Sequence, residues 1–395
     1  MIQSKHCLSL AIGLILFSSS GLAADSHPAH RDTEERKLLQ GLKHTSEFKL
    51  DQAIQSIAQL LSVNPDFKLA NLLYADLLMT KAHAFNGIGG QLQSEKTRPL
   101  IEEAKQRLNH LTSHKPEQRV PANLLRLHEN QEYVVVVDTS QSRLYLFKNE
   151  NGAPRLTEDF YISIGKNGAD KSKEGDKRTP LGVYFVNSFL SPSKLPDYYG
   201  SGAYPINYPN QWDRHLKRTG YGIWLHGNPL DSFSRPPLAS DGCVTINNRD
   251  FEHLMKFIDT DGTTPVIITQ NMEWTTPEKV ETVRNELSDQ LDKWKRDWES
   301  LDTDRYLSHY ADTFSNGRQD LNQWTKNKQE INAGKTRVKV RLDKVSIFQY
   351  PGENFVLVKF LQHYASNNFK NRRVKTQYWS KQNGQWKIIY EGSAS

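Results

Sequence analysis

Ile223-Trp224-Leu225-His226-Gly227-Asn228-Pro229 and, ten positions on, Ala239-Ser240-Asp241-Gly242-Cys243-Val244 decide how this chain is read. The first run reads as a short strand that ends on a histidine. The second closes a loop on a glycine and a cysteine. The two reactive side chains stand 17 residues apart, and a loop of that length can fold back and bring them together. A free thiol is mostly protonated near neutral pH, and a neighbouring imidazole that takes its proton turns it into a strong nucleophile. Gly242 opens backbone conformations closed to other residues, so the amides of Gly242 and Cys243 are candidate donors to an oxyanion. With 13 histidines in the chain, one near a cysteine carries little weight alone. His226 stands out by the glycine beside it and by its place ahead of the cysteine loop.

Cysteine usage strengthens the reading. The chain has two, Cys7 and Cys243. Cys7 lies in a stretch with Lys5, an apolar run Leu8–Phe17 and small residues ending Gly21-Leu22-Ala23, the pattern of a secretory signal cut after Ala23. The run is too short to span a bilayer comfortably, so the processed chain is expected not to span the membrane. An exported protein left with one thiol has no partner for it within the chain, so the thiol is buried and inert, paired between chains, or used. One remaining cysteine gives no Cys/His cluster of metal-ligand spacing. No glycine-rich phosphate loop stands out either, so neither metal nor cofactor is expected. Net charge is +6. It suits an anionic partner such as a cell wall, but it is spread without a dense Lys/Arg block, and export argues against nucleic acid.

Outward from the motif, the texture divides the chain. Residues 1–23 are the signal. Residues 24–130 read as a helical region: in Leu50–Leu61, apolar positions 50, 53, 54, 57, 60 and 61 recur at helical spacing, Asn64-Pro65 breaks the pattern, and a second helix follows through Leu69–Leu78. Gly87-Ile88-Gly89-Gly90 reads as a helix break. This region is expected to pack on a partner domain or to form a homodimer with a second copy. Residues 131–272 are strand-rich: Tyr133–Val137 and Arg143–Phe147 make a hairpin, strands follow at 159–164, 182–187, 222–226 and 264–269, a helix lies near 251–259, and long loops cover 188–220 and 227–241. Residues 277–395 read as a charged helical stretch, 277–310, followed by strands near 337–348, 354–364, 373–379 and 386–390, with Asn383-Gly384 as a hairpin turn. Helices followed by strands make an α+β unit.

At His226-Gly227 and Ser240-Asp241-Gly242-Cys243 the sequence resembles the L,D-transpeptidase (YkuD-type) catalytic domain, whose pattern is His-Gly or His-Ser, a loop, then Ser-x-Gly-Cys. Thr179-Pro180-Leu181-Gly182 resembles the family's Thr-Pro-x-Gly segment ahead of the site. The resemblance covers about 140 of 395 residues. It implies a β-rich sandwich or barrel-like domain in a periplasmic protein that acts on peptidoglycan stem peptides. Cys243 would attack the L,D amide after the third residue of a tetrapeptide stem and release D-alanine. His226 would be the base, with the Gly227 carbonyl orienting the imidazole. The acyl-enzyme would pass to an amine, as in transpeptidation, or to water, as in an L,D-carboxypeptidase. Many members have Ser-His-Gly-Cys followed by an arginine. Here Asp241 and Val244-Thr245 stand in those places, which leaves the acceptor open and keeps a catalytically degenerate wall-binding scaffold as an alternative. The Leu-His-Gly-x-Pro form and the flanking regions look most like the branch that includes helical-cell-shape L,D-carboxypeptidases. The last region resembles an NTF2-like domain on Trp294, Trp298, Tyr306, Tyr310, Phe314 and Trp324.

Around the pair, Ser240, Asp241 and Gly242 are candidates for the oxyanion and substrate side. Tyr204 and Trp224, with Tyr208, Trp212 and Tyr221, read either as core packing or as the wall of a peptide groove. Arg235 reads either as a solvated loop residue or as a partner for a stem-peptide carboxylate. Tyr378, Trp379 and Trp386 read as core, with a sugar pocket as the alternative.

Overall fold

A computed structural model describes residues 33–82, 95–112 and 119–393. The expected signal segment, residues 1–23, and Gly87–Gly90 lie outside them. The architecture is the expected one: N-terminal helices, a β-rich middle domain and an α+β C-terminal domain. No helix among the described residues is long and apolar enough to cross a membrane.

Four helices, Thr33–Ser46, Leu50–Leu61, Lys68–Lys81 and Arg98–Thr112, form the front. In the second, the apolar spacing buries Ala53, Ile57 and Leu60. These close on Leu38, Leu42, Leu69, Leu73 and Ala104. Gly41 sits where a Cβ would lie 2.5 Å from Ile57, so the first two helices approach through a missing side chain.

The middle domain is a mixed sheet in the order Gly182–Phe185, Pro265–Thr269, Tyr133–Asp138, Arg143–Glu150, Ala153–Gly165, Val244–Ile246, Trp224–His226, Ala203–Pro205. The expected hairpin pairs Asp138 with Arg143 and Tyr133 with Lys148. Its turn is held by the Asp138 carboxylate, which accepts from the Ser140 and Gln141 amides at 3.0 and 3.1 Å. The unbroken Val134–Val137 run has a tertiary cause. Val135 and Val137 face the interior of this domain, whereas Val134 and Val136 pack with Phe348, Tyr350 and Phe355 of the C-terminal sheet. A strand covered on both faces does not alternate.

The C-terminal domain packs the helix Pro277–Glu299 on a six-stranded sheet. Thr276 caps that helix by accepting from the Lys279 amide, and Pro277 opens it. Asn383 and Gly384 both have positive φ, 50° and 79°, and join Gln382 to Gln385, the two-residue hairpin loop their sequence predicts. Tyr378, Trp379 and Trp386 are buried in packing.

Two expectations are corrected. The segment 277–310 is not one helical run. It breaks at Leu301, which is left-handed at φ 63°, and Asp302 caps a separate helix, Thr303–Leu307. Within residues 119–130, assigned to the helical region, Val120–Pro121 and Leu124–Arg126 are strands. Leu124–Arg126 adds an edge to the C-terminal sheet beside Val338–Gln349. Local pattern does not show this, because three-residue edge strands are specified by the neighbour they pair with.

Candidate active site

Register pairs the strand that ends on the histidine with the strand that follows the cysteine. Trp224–His226 and Val244–Ile246 pair in parallel, Leu225 opposite Val244 and His226 opposite Thr245. Leu225 and Val244 point into the core. Side chains alternate along a strand, so His226 and Thr245 share the opposite face. Cys243 stands in the bend one residue before Val244–Ile246. Both reactive groups also meet Tyr199, whose ring lies 4.9 Å from the His226 ring. Burial first, and then the nearby Cys243, raise the Tyr199 hydroxyl above its ordinary range.

His226 is fully buried. Its Nδ1 lies 2.6 Å from the Gly227 carbonyl oxygen. A carbonyl only accepts, so Nδ1 carries the proton and Nε2 presents its lone pair. That Nε2 has no hydrogen-bond partner. Burial pushes the imidazole down to about 4, so the base is neutral over the physiological range. Gly227 cannot be replaced by a larger residue, since a Cβ would lie 2.2 Å from Asn248 Oδ1 and 2.9 Å from the Ser201 amide nitrogen.

Cys243 is half-buried and is the free cysteine among the described residues. Its thiol donates to the Gly222 carbonyl at 3.4 Å. Burial pushes it up to about 11, so thiol and imidazole are both neutral at rest. The resting pair is therefore not a thiolate–imidazolium ion pair. The turn before it is built by two hydroxyls. Ser240 Oγ accepts from the Gly242 amide at 3.1 Å and donates to the Cys243 carbonyl at 2.6 Å. Thr179 Oγ accepts from the Gly165 amide at 3.0 Å and donates to the Gly242 carbonyl at 2.9 Å. The Thr-Pro-x-Gly motif thus reaches the site by gripping the residue before the nucleophile. Gly242, at φ 131°, has the Arg178 carbonyl oxygen 2.8 Å from where a Cβ would stand.

Several flanking expectations change. The Gly242 amide is engaged by Ser240, so Gly242 shapes the turn and its N–H is not an open oxyanion donor. Ser240 likewise acts on the turn. Tyr204 is buried against Phe189 and Phe251 and packs the core rather than lining a groove. Trp224 is partly buried and lies on Tyr199, ring centroids 4.8 Å apart. Asp241 is exposed and pairs with Lys166 at 3.0 Å. Arg235 Nη2 donates to the Tyr198 hydroxyl at 3.1 Å, and its positive charge lies close enough to disfavour protonation of His226. Sequence reading missed Tyr198 and Tyr199, which flank the imidazole from the long 188–220 loop, and Thr245, whose buried hydroxyl is unpartnered beside the catalytic face. The density of tyrosines in that loop was the available signal. No group of residues able to hold a metal ion occurs among the described residues.

Residues 132–268 match the L,D-transpeptidase (YkuD) catalytic domain, and residues 286–392 match the Cds6 C-terminal NTF2-like domain. The structure is similar to that of Bd1075 from Bdellovibrio bacteriovorus, with 32% sequence identity and a TM-score of 0.61 over 70% of this chain and 98% of that one. It is also similar to the helical cell shape determining protein Pgp2 from Campylobacter jejuni, with 26% identity and a TM-score of 0.59 over 68% of this chain and 95% of that one. No curated protein matches the chain.

Proposed function

The chain belongs to the L,D-transpeptidase (YkuD) catalytic-domain family, with a Cds6-type NTF2-like domain at its C-terminal end, and on that premise we propose that it is an exported cysteine enzyme of peptidoglycan. It acts on the L,D amide between residue 3 and D-alanine 4 of tetrapeptide stems, in the service of cell shape. One observation carries the reading: the strand that ends at His226 pairs with the strand that Cys243 leads into, and the imidazole's Nε2 lone pair is unpartnered.

The chemistry follows from that arrangement. His226 Nε2 takes the thiol proton as Sγ attacks the carbonyl carbon of residue 3. The tetrahedral intermediate collapses, the carbon–nitrogen bond breaks, and the imidazolium returns the proton to the departing amine of D-alanine. The thioester then yields to water, activated by the same Nε2, and leaves a tripeptide carboxylate. An amine in place of water gives a cross-link. The likeness to a helical cell shape determining protein supports a role in shape.

The test is incubation of the purified protein with tetrapeptide muropeptides, followed by mass analysis, beside Cys243→Ala. Tripeptide and free D-alanine are expected from the wild type, and none from the variant, with a rate loss of at least ~10³-fold. Dimers would assign transfer instead of trimming. Turnover absent in both proteins, with no alkylation of Cys243, would leave a wall-binding scaffold, and turnover equal in both would remove Cys243 from the chemistry.

A further inference from the structure

Arg235 stands beside the catalytic pair with half of its guanidinium unused. Nη2 donates to the Tyr198 hydroxyl and to the Ala239 carbonyl oxygen, and the guanidinium carbon lies 5.1 Å from the Tyr198 ring centroid. Nη1 is buried and has no hydrogen-bond partner. No ion pair joins Arg235 to a carboxylate among the described residues. Tyr198 in turn packs at 5.9 Å from His226. A planar cation with a desolvated, unpartnered N–H is the arrangement that receives a carboxylate.

What holds this arginine comes from the other end of the chain. Its backbone carbonyl accepts from the Tyr161 hydroxyl at 3.1 Å and from Ser163 Oγ at 2.9 Å. The guanidinium of Arg107, on the last N-terminal helix, covers the Tyr161 ring at 3.8 Å. Arg107 also donates to Ser234 Oγ at 2.8 Å, and Ser234 donates to Glu103 at 2.7 Å. Phe233 lies 4.6 Å from Phe67 of the same helical unit. Three consecutive loop residues, 233 to 235, are therefore fixed directly or through Tyr161 by the N-terminal helices.

We propose that the N-terminal helices complete the substrate site: Arg107 and Glu103, through Ser234 and Tyr161, are positioning residues that present Arg235 Nη1 to a carboxylate of the stem peptide. The inference rests on the functional reading above and assigns the site its specificity. Two of the tetrapeptide's carboxylates belong to the residues joined by the scissile amide, the terminal one on D-alanine and the one on the far centre of diaminopimelate.

Steady-state kinetics on the full-length protein separate them. Three substrates are compared: the free tetrapeptide, the peptide amidated at D-alanine, and the peptide amidated at the diaminopimelate carboxylate. The wild type is expected to discriminate at least tenfold in kcat/KM against one of the two amides, and that amide identifies the source. In Arg235→Gln the KM for the free peptide rises at least tenfold, kcat changes less than threefold, and discrimination falls toward one. Arg235→Lys restores part of it. Ser234→Ala, which leaves Arg107 and Glu103 paired, raises KM severalfold and reduces the discrimination in part. Equal wild-type rates on all three peptides, or wild-type discrimination retained in Arg235→Gln, would overturn the carboxylate assignment. Unchanged discrimination in Ser234→Ala would overturn the positioning role. A wild type that turns over none of the peptides overturns both this inference and the functional reading, whereas normal turnover without discrimination overturns the inference alone.

Discussion

The middle domain meets its two neighbours in opposite ways. Toward the C-terminal domain it presents an aromatic wall: Trp212 stacks on Tyr378 with centroids 4.9 Å apart and lies 4.8 Å from Phe355, while Phe185 meets Phe348 at 6.2 Å. At the N-terminal helices it meets buried charge: their Arg107 is held by their own Glu35 and Glu103, the latter at 3.0 Å, and reaches across to Ser234, while Arg143 of the middle domain lies 3.6 Å from Glu35. Apolar burial is non-directional and scales with area, so the first interface supplies adhesion. A buried ion network repays its desolvation only in one geometry, so the second supplies little net stability but a defined position. The domain is glued on one side and aligned on the other, and the aligned side is the one next to the catalytic loop.

That contrast can be broken in order of effect. Arg107→Ala should act twice. It leaves Glu103 buried without its cation while Glu35 keeps Arg143 at 3.6 Å, at a cost of ~3–5 kcal/mol in urea denaturation, and it raises KM for the stem peptide. A stability loss with unchanged KM would show that the ionic interface aligns nothing. Trp212→Ala should cost a similar ~3–5 kcal/mol but leave kcat/KM per folded molecule near the wild-type value. A large kinetic defect there would erase the distinction between the two interfaces. Thr179→Val tests the internal brace of the nucleophile. Loss of the hydroxyl leaves the buried Gly165 amide unsatisfied, at ~1–3 kcal/mol, and lowers kcat more than it raises KM.

The smallest expected effect is of pH. The His226 imidazole is pushed down to about 4 by burial, and the active form is the neutral one. Activity is therefore lost only as pH falls through that value. Between pH 7 and pH 5 kcat should change less than about twofold, whereas an imidazole at its ordinary value would lose more than about tenfold over the same range. Iodoacetamide labelling of Cys243 should accelerate only toward strongly alkaline pH, since its thiol is pushed up to about 11. An acid limb near 6.5 would mean that His226 is solvated in the working enzyme.

Much of this was legible in residues alone because it is local. Leu50–Leu61 declares its buried face by spacing, Asn383-Gly384 its turn by positive φ, and His226-Gly227 with Ser240–Cys243 the candidate pair for chemistry. The Thr179 motif was recognisable, but its grip on Gly242, 63 residues on, was not. Tyr204 and Trp224 share one composition-level signature, yet one is core and the other lies beside the site. Facing direction is decided by sheet order, which alternation in a three-residue strand is too short to announce.

Local patterns by themselves determined which residues can do chemistry and which segments become helix, hairpin or turn, because those depend on neighbours within a few positions. Only the tertiary structure decided that Leu124–Arg126 closes the edge of a sheet more than 200 residues away. It also decided that Arg107 reaches Ser234 across 127 residues and that the Gly242 amide is engaged by a serine. Such contacts are chosen by which surfaces exclude water together and which buried charges find partners, and that choice is made by the packed chain as a whole.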